Sequence, residues 1–177
     1  MRSSPDFDSV PATRLDRQSS LVQTRLVRYF LDTEYNGFGG ALMSLALVPD
    51  DGGEEFYVTL LADDPIDPWV ARHVVPFLDM VPEALKGPRL ARPVAAEALA
   101  AWLAHDAAPA IVADWPEDLA QFAMLLIVGP GKMLTVPALT LRFEPLQGFS
   151  TAANSAVPHN ALHDARALRD HVMNHLE

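Results

Sequence analysis

Three apolar, strand-like runs follow one another between residues 26 and 61 with no helical stretch between them. This succession constrains the fold more than any other feature of the chain. Leu26-Val27-Arg28-Tyr29-Phe30-Leu31-Asp32 reads as a buried strand, and Ala41 to Val48 reads as a second. Pro49-Asp50-Asp51-Gly52-Gly53 supplies turn chemistry, and Glu55 to Leu61 reads as a third strand. Strands that follow one another this closely pair as an antiparallel meander.

Helical patterns come next. Trp69 to Leu78 is expected to be a helix, with Asp67 as N-cap and Pro68 at its first position. Ala95 to His105 is Ala-rich and apolar at helical spacing, and Ala110 to Ala113 is a short strand. Pro116 opens a helix running to about Ile127, which Gly129-Pro130-Gly131 breaks. Leu134 to Phe143 reads either as a strand or as an extended loop, and Asn160 to Leu176 is the closing helix. The order β-β-β-α-α-β-α-(β)-α predicts an α/β fold: a mixed sheet, three antiparallel strands and then parallel ones, flanked by helices.

Residues 1–25 differ in character. They are rich in Ser, Arg, Asp and Thr, lack an apolar period, and are expected to form a disordered arm or leader ahead of a single domain over 26–177. With 177 residues the chain is long enough to bury a real core. It has no cysteine, which excludes disulfides, thiolate metal sites and a cysteine nucleophile, and which fits a cytoplasmic protein. No apolar run reaches the roughly 18 residues that span a bilayer. The start of the sequence lacks the basic-then-apolar pattern of a signal peptide. No membrane partner is therefore expected.

Net charge is −10; the first 25 residues hold four Arg against three Asp, so residues 26–177 carry −11. That balance argues against a broad nucleic-acid footprint. The objection weakens where acids bind cations, which reverse the local field. The charge therefore predicts a short substrate footprint or a locally basic rim.

Three acidic segments carry the chemistry. In Asp32-Thr33-Glu34 the acids are two apart, so on a strand they share a face. Like charges side by side repel unless a cation joins them; otherwise the strand ends there and both face water. In Asp114-Trp115-Pro116-Glu117-Asp118 a short buried strand meets a helix. Asp118 suits the helix dipole, and Asp114 with Glu117 fits a capping box, so this segment also has a purely structural reading. In Pro158-His159-Asn160-Ala161-Leu162-His163-Asp164 the histidine and the acid are five residues apart, about 140° around a helix. They converge only if His159 sits on the loop before the helix, with Asn160 as cap. His159/His163 and His171/His175 also have i, i+4 spacing, but no His-Glu-x-x-His is present.

Together these segments resemble the DEDDh 3′–5′ exonucleases of the ribonuclease H-like superfamily. That family has Asp-x-Glu at the end of the first strand, an acid at a strand-to-helix junction, and His-x-x-x-x-Asp. Here these are Asp32-Thr33-Glu34, Asp114 to Asp118, and His159 to Asp164. Tyr29 to Glu34 and Trp69 to Pro76 look most like the small exoribonucleases first described in mycobacteria. The resemblance spans roughly residues 26–176. It departs at Asp114, where Asn is usual, and at Glu117, where Phe is usual, so Asp114 is the alternative to Asp118 as second-motif acid.

The resemblance implies a ribonuclease H-like fold and a two-metal 3′–5′ exonuclease, here an exoribonuclease, that releases nucleoside 5′-monophosphates. It implies Asp32, Glu34, Asp118 and Asp164 as ligands of two Mg2+ or Mn2+ ions. Glu34 joins in placing the attacking water, and His159 is the general base. Tyr35, Asn36, Gly37 and Phe38 are implied to line the pocket for the 3′-terminal nucleotide. Phe38 or Tyr35 would stack on a base, or pack on its own domain. The implied partner is the 3′ end of single-stranded RNA or DNA, or a short oligonucleotide. Relatives of this kind are often dimers, which points to a homodimer. Lys86, Arg89 and Arg92 read either as a phosphate-holding group or as a solvated loop. Trp69 and His73, one helical turn apart, read as core or interface. The rival readings are a small-nucleotide or oligonucleotide phosphohydrolase, and a catalytically silent nucleic-acid-binding domain of the same fold.

Overall fold

The computed structural model describes residues 26–175, so the expected N-terminal arm lies outside the described residues. The three leading runs form β1 (Arg28–Tyr35), β2 (Leu42–Pro49) and β3 (Phe56–Thr59). They pair as the expected antiparallel meander, with Asp32 opposite Ala46 and Leu45 opposite Val58. The register shifts between Glu34 and Tyr35, where the first strand leaves the sheet.

α1 (Pro68–His73) starts as expected: the Asp67 carboxylate accepts from the backbone N–H of Trp69 at 2.7 Å and of Val70 at 3.3 Å. It ends five residues earlier than expected, giving way to a single 3-10 turn over Val75–Phe77. Pro76 is the cause, because it has no N–H to continue the helix and its ring meets the carbonyl four residues back. α2 (Arg92–Leu103) begins three residues earlier than the apolar pattern suggests, with Pro93 in its first turn. β4 (Ala110–Ala113) and α3 (Pro116–Leu125) follow. The Gly129-Pro130-Gly131 segment is the turn of a small hairpin, β5 (Ile127–Gly129) with β6 (Lys132–Met133). Of the ambiguous stretch, only β7 (Thr140–Phe143) is strand. α4 (Thr151–Asn154) and α5 (Ala161–His175) close the described chain.

The main sheet has the order β3-β2-β1-β4-β7. β4 pairs parallel with both β1 and β7. The fold is therefore mixed α/β, with a five-stranded sheet of antiparallel and parallel strands flanked by helices. Alternation along β1 divides the core. Tyr29 and Leu31 pack with Leu99 and Leu103 of α2 and Phe122 and Leu125 of α3. Phe30 points the other way and packs with Val112, Leu168 and Val172. On that side α5 also covers Ala46 and Val48 with Ala161, Leu162 and Ala165. Among the described residues no helix is long and apolar enough to cross a membrane.

Candidate active site

The period of β1 places the first acids. Asp32 and Glu34 continue the Phe30 face, which looks at α5, whereas Thr33 continues the Leu31 face, which looks at α3. On α5, Asp164 is three residues after Ala161 and four before Leu168, so it lies on the sheet-facing stripe. The two periodicities bring Asp32, Glu34 and Asp164 together. Each offers a carboxylate oxygen, and these oxygens lie within 4.8 Å of one another.

Asp118 reaches the same place from the other layer. It sits in the first turn of α3, only 3% exposed, and its Oδ1 accepts a hydrogen bond from the Thr33 hydroxyl at 2.6 Å. Trp115 rather than Asp114 occupies the N-cap position, so the expected capping box is not formed. Asp114 instead accepts from the Thr151 hydroxyl at 2.9 Å. Glu117 accepts from the backbone N–H of Gly39 at 2.9 Å and ties the loop after β1 to α3.

The third segment is built as its spacing required. Asn160 is fully buried and caps α5, its Oδ1 accepting from the N–H groups of Leu162 at 3.1 Å and His163 at 3.3 Å. Its amide donates to the Phe77 carbonyl at 2.7 Å, which fixes the cap to the 3-10 turn. His159 therefore stands on the loop, in a left-handed conformation (φ 62°) that few non-glycine residues adopt. Its backbone N–H donates to Asp164 Oδ2 at 3.2 Å. Its ring packs edge-on against Trp69, with centroids 5.3 Å apart.

Electrostatics mark the cluster as unfinished. Burial, followed by the charges of Asp118, Asp164 and Glu34, pushes Asp32 well above the usual carboxylate range. Burial and the charges of Asp164 and Asp118 push Glu34 up to about 8. Burial raises Asp118 to about 7 against the opposing hydrogen bond from Thr33. Burial raises Asp164 to about 6, although the Ser155 hydroxyl and the His159 N–H pull it down. Asp164 Oδ1 is buried with no hydrogen-bond partner among the described residues. A buried acid of this kind costs stability unless it is protonated or meets a positive charge. Burial and the neighbouring His73 lower His159, which favours its neutral, proton-accepting form.

All four acids and His159 line one open cleft of about 770 Å³. Tyr35, Gly37 and Phe38 line it too, with Phe38 96% exposed at its mouth. Asn36 does not line it. Its amide donates to the Pro65 carbonyl at 3.0 Å, and its oxygen accepts from the Asp67 N–H at 2.8 Å. Gly40 completes this loop at close quarters, since an added Cβ would lie 2.0 Å from the Asn36 carbonyl oxygen.

Some expectations change. Trp69 is not core: it is half exposed and forms a cleft wall, its ring tilted against that of His73 with centroids 4.8 Å apart. Trp115, Phe149, Ser150 and Thr151 also line the cleft and were not singled out from the sequence. Lys86, Arg89 and Arg92 do not line it. They engage Glu83 at 2.9 Å, Asp79 at 3.3 Å and the Met124 carbonyl at 2.8 Å, as a solvated group would. His171 and His175 stack face to face at 4.6 Å, and His163 Nε2 pairs with the Met80 carbonyl at 2.9 Å. Among the described residues, the groups placed to share a metal ion contain no histidine.

No protein-family model matches the chain, and no curated protein matches it.

Proposed function

We propose that this chain is a metal-dependent 3′–5′ exonuclease of the DEDDh kind, acting on RNA, with its sheet and helices forming a ribonuclease H-like domain. The reading rests on one observation above the rest. Acids from β1 and α5 bring their oxygens within 4.8 Å of one another, with a buried Asp164 oxygen left unpartnered, in a cleft that Asp118 and His159 also line.

The donor set is all oxygen, which suits magnesium or manganese better than zinc. Asp32, Glu34, Asp118 and Asp164 would hold the two ions. When bound, two such ions supply counter-charge to the acids and Lewis acidity toward the phosphoryl oxygens. The chain does the rest. His159, neutral near pH 7, takes a proton from the attacking water at an imidazole nitrogen. The water oxygen bonds to phosphorus, the bond from phosphorus to the 3′ oxygen breaks, and a solvent water gives that oxygen its proton. The shortened strand keeps a 3′-hydroxyl, and a nucleoside 5′-monophosphate leaves. The Trp69 ring and the Asp164 carboxylate hold the His159 segment in place by its ring and its backbone.

Analysis of the released product is the test. Incubation of RNA with manganese should yield nucleoside 5′-monophosphates by chromatography and mass. Release of 3′-monophosphates or of internal fragments would contradict the proposal.

A further inference from the structure

Three successive residues at the end of β1 divide between the two faces of the sheet. Asp32 and Glu34 look at α5, and Thr33 looks at α3. There the Thr33 hydroxyl donates to Asp118 Oδ1 at 2.6 Å, a length typical of a hydroxyl on a carboxylate. Both partners are nearly sealed from water, Thr33 at 5% exposure and Asp118 at 3%, so solvent competes little for the bond. Asp118 lines the cleft all the same, so its carboxylate spans from Thr33 to the open space. The three acids whose oxygens lie within 4.8 Å of one another come from β1 and α5. Asp118 approaches from the other layer, so its aim depends on a contact across the strand.

That contact is well defined at both ends. Thr33 lies opposite Leu45 in the sheet register, and its branched Cβ restricts the side chain to few rotamers. The helix that carries Asp118 is held by other bonds as well. Glu117 accepts from the Gly39 N–H at 2.9 Å, and Gln121 donates to the Gly40 carbonyl at 3.0 Å. Loss of the Thr33 hydroxyl would therefore free the Asp118 carboxylate to turn while α3 stays in place. A hydroxyl donor also favours the ionised carboxylate, which is the form that takes a cation. Partners of this kind behind a metal ligand are typically worth about 10–100-fold in metal affinity.

We infer that Thr33 is a positioning residue for divalent-cation binding: its hydroxyl aims the Asp118 carboxylate into the cleft. This rests on the metal-site part of the reading above and adds to it the residue on which Asp118 depends.

The test is manganese binding by the full chain, read from the electron paramagnetic resonance signal of the free ion, with no turnover involved. Thr33→Val keeps the shape and removes the donor, Thr33→Ala removes the donor with less bulk, and Thr33→Ser keeps it. Thr33→Val and Thr33→Ala should each raise the Kd of at least one bound ion by about 10–100-fold, and Thr33→Ser should stay within about threefold of wild type. In an Asp118→Asn background Thr33→Val should change the Kd by less than about twofold, because the hydroxyl acts through that carboxylate. A merely structural role for Thr33 would give the same loss in both backgrounds. Donor-less variants within about threefold of wild type, a Thr33→Ser as weak as Thr33→Val, or an equal loss with and without the Asp118 charge would overturn the inference while leaving the nuclease reading standing. A wild type that binds no manganese would instead overturn that reading, and the inference with it.

Discussion

Replacing Asp118 by Asn removes one charge from the cluster and almost nothing else. The side chain is buried, and its Oδ1 accepts from the Thr33 hydroxyl, which an amide oxygen can still do. Burial raises this carboxyl from 3.8 to about 7, so the folded state holds its proton more tightly than the unfolded chain does. Such a group contributes stability that is fully present below the unfolded pKa and lost as pH rises through the folded one. The metal-free wild type therefore weakens from about pH 4 to 7 on account of Asp118, and the Asn variant is spared that loss. At about 1.4 kcal/mol per pKa unit the shift sets a ceiling of about 4 kcal/mol at pH 8. The other acids share the protons, so about half of that, roughly 2 kcal/mol, is the expected gain. For a domain of this size it corresponds to a Tm about 4–8 °C higher. At pH 4.5 the gap should shrink to about a quarter. Thermal melts in EDTA at the two pH values measure it. A variant less stable than wild type at pH 8, or a gap that does not shrink on acidification, would refute the account of the cluster as mutually repelling acids.

Two further predictions follow from the same geometry. Manganese held at a hundred times its pH 8 Kd should stabilise the protein by about 3 kcal/mol at pH 8, and the same concentration should stabilise it by less at pH 6. Its binding requires the raised carboxyls of Glu34, Asp118 and Asp164 to be ionised; calorimetric melts that show no metal dependence would count against the site. His159→Ala should lower kcat by about 10²–10⁴-fold if the ring acts as the proposed general base, with little change in melting temperature, because it stands on a loop and not in the core. A kcat within twofold of wild type would leave the ring a packing partner of Trp69.

What the sequence made legible depended on whether a signal was local. The meander over residues 28–59 was readable because alternation and turn residues act within each strand and its neighbour. The early end of α1 was available in principle, since Pro76 is plain to see, but the apolar run through Leu78 masks its effect. The β5–β6 hairpin was hidden because strands of three and two residues carry too few positions to show a period. In the site, Asp32 and Glu34 stood out as two acids on one face at the end of an apolar strand and Asp164 through its spacing from His159, and the structure brings their oxygens together. Asp118 also fitted a helix start, so its link to Thr33 could not be foreseen. Of the rings at the cleft, Tyr35 and Phe38 were expected from the resemblance, whereas Trp69, Trp115 and Phe149 come from three separate segments, and exposed rings leave no periodic trace. The pairing of Asp114 with Thr151 is likewise a contact across 37 residues that no motif announces.

The central claim is that a metal-holding carboxylate cluster on β1 and α5 cleaves RNA from its 3′ end. The most direct measurement is a gel assay on single-stranded RNA labelled at its 5′ end, run with manganese, magnesium or EDTA, for the wild type and Asp32→Asn side by side. The account predicts a ladder that shortens from the 3′ end with either metal, absent in EDTA and absent in the variant. Intact RNA under both metals, or an equal ladder from Asp32→Asn, would contradict it.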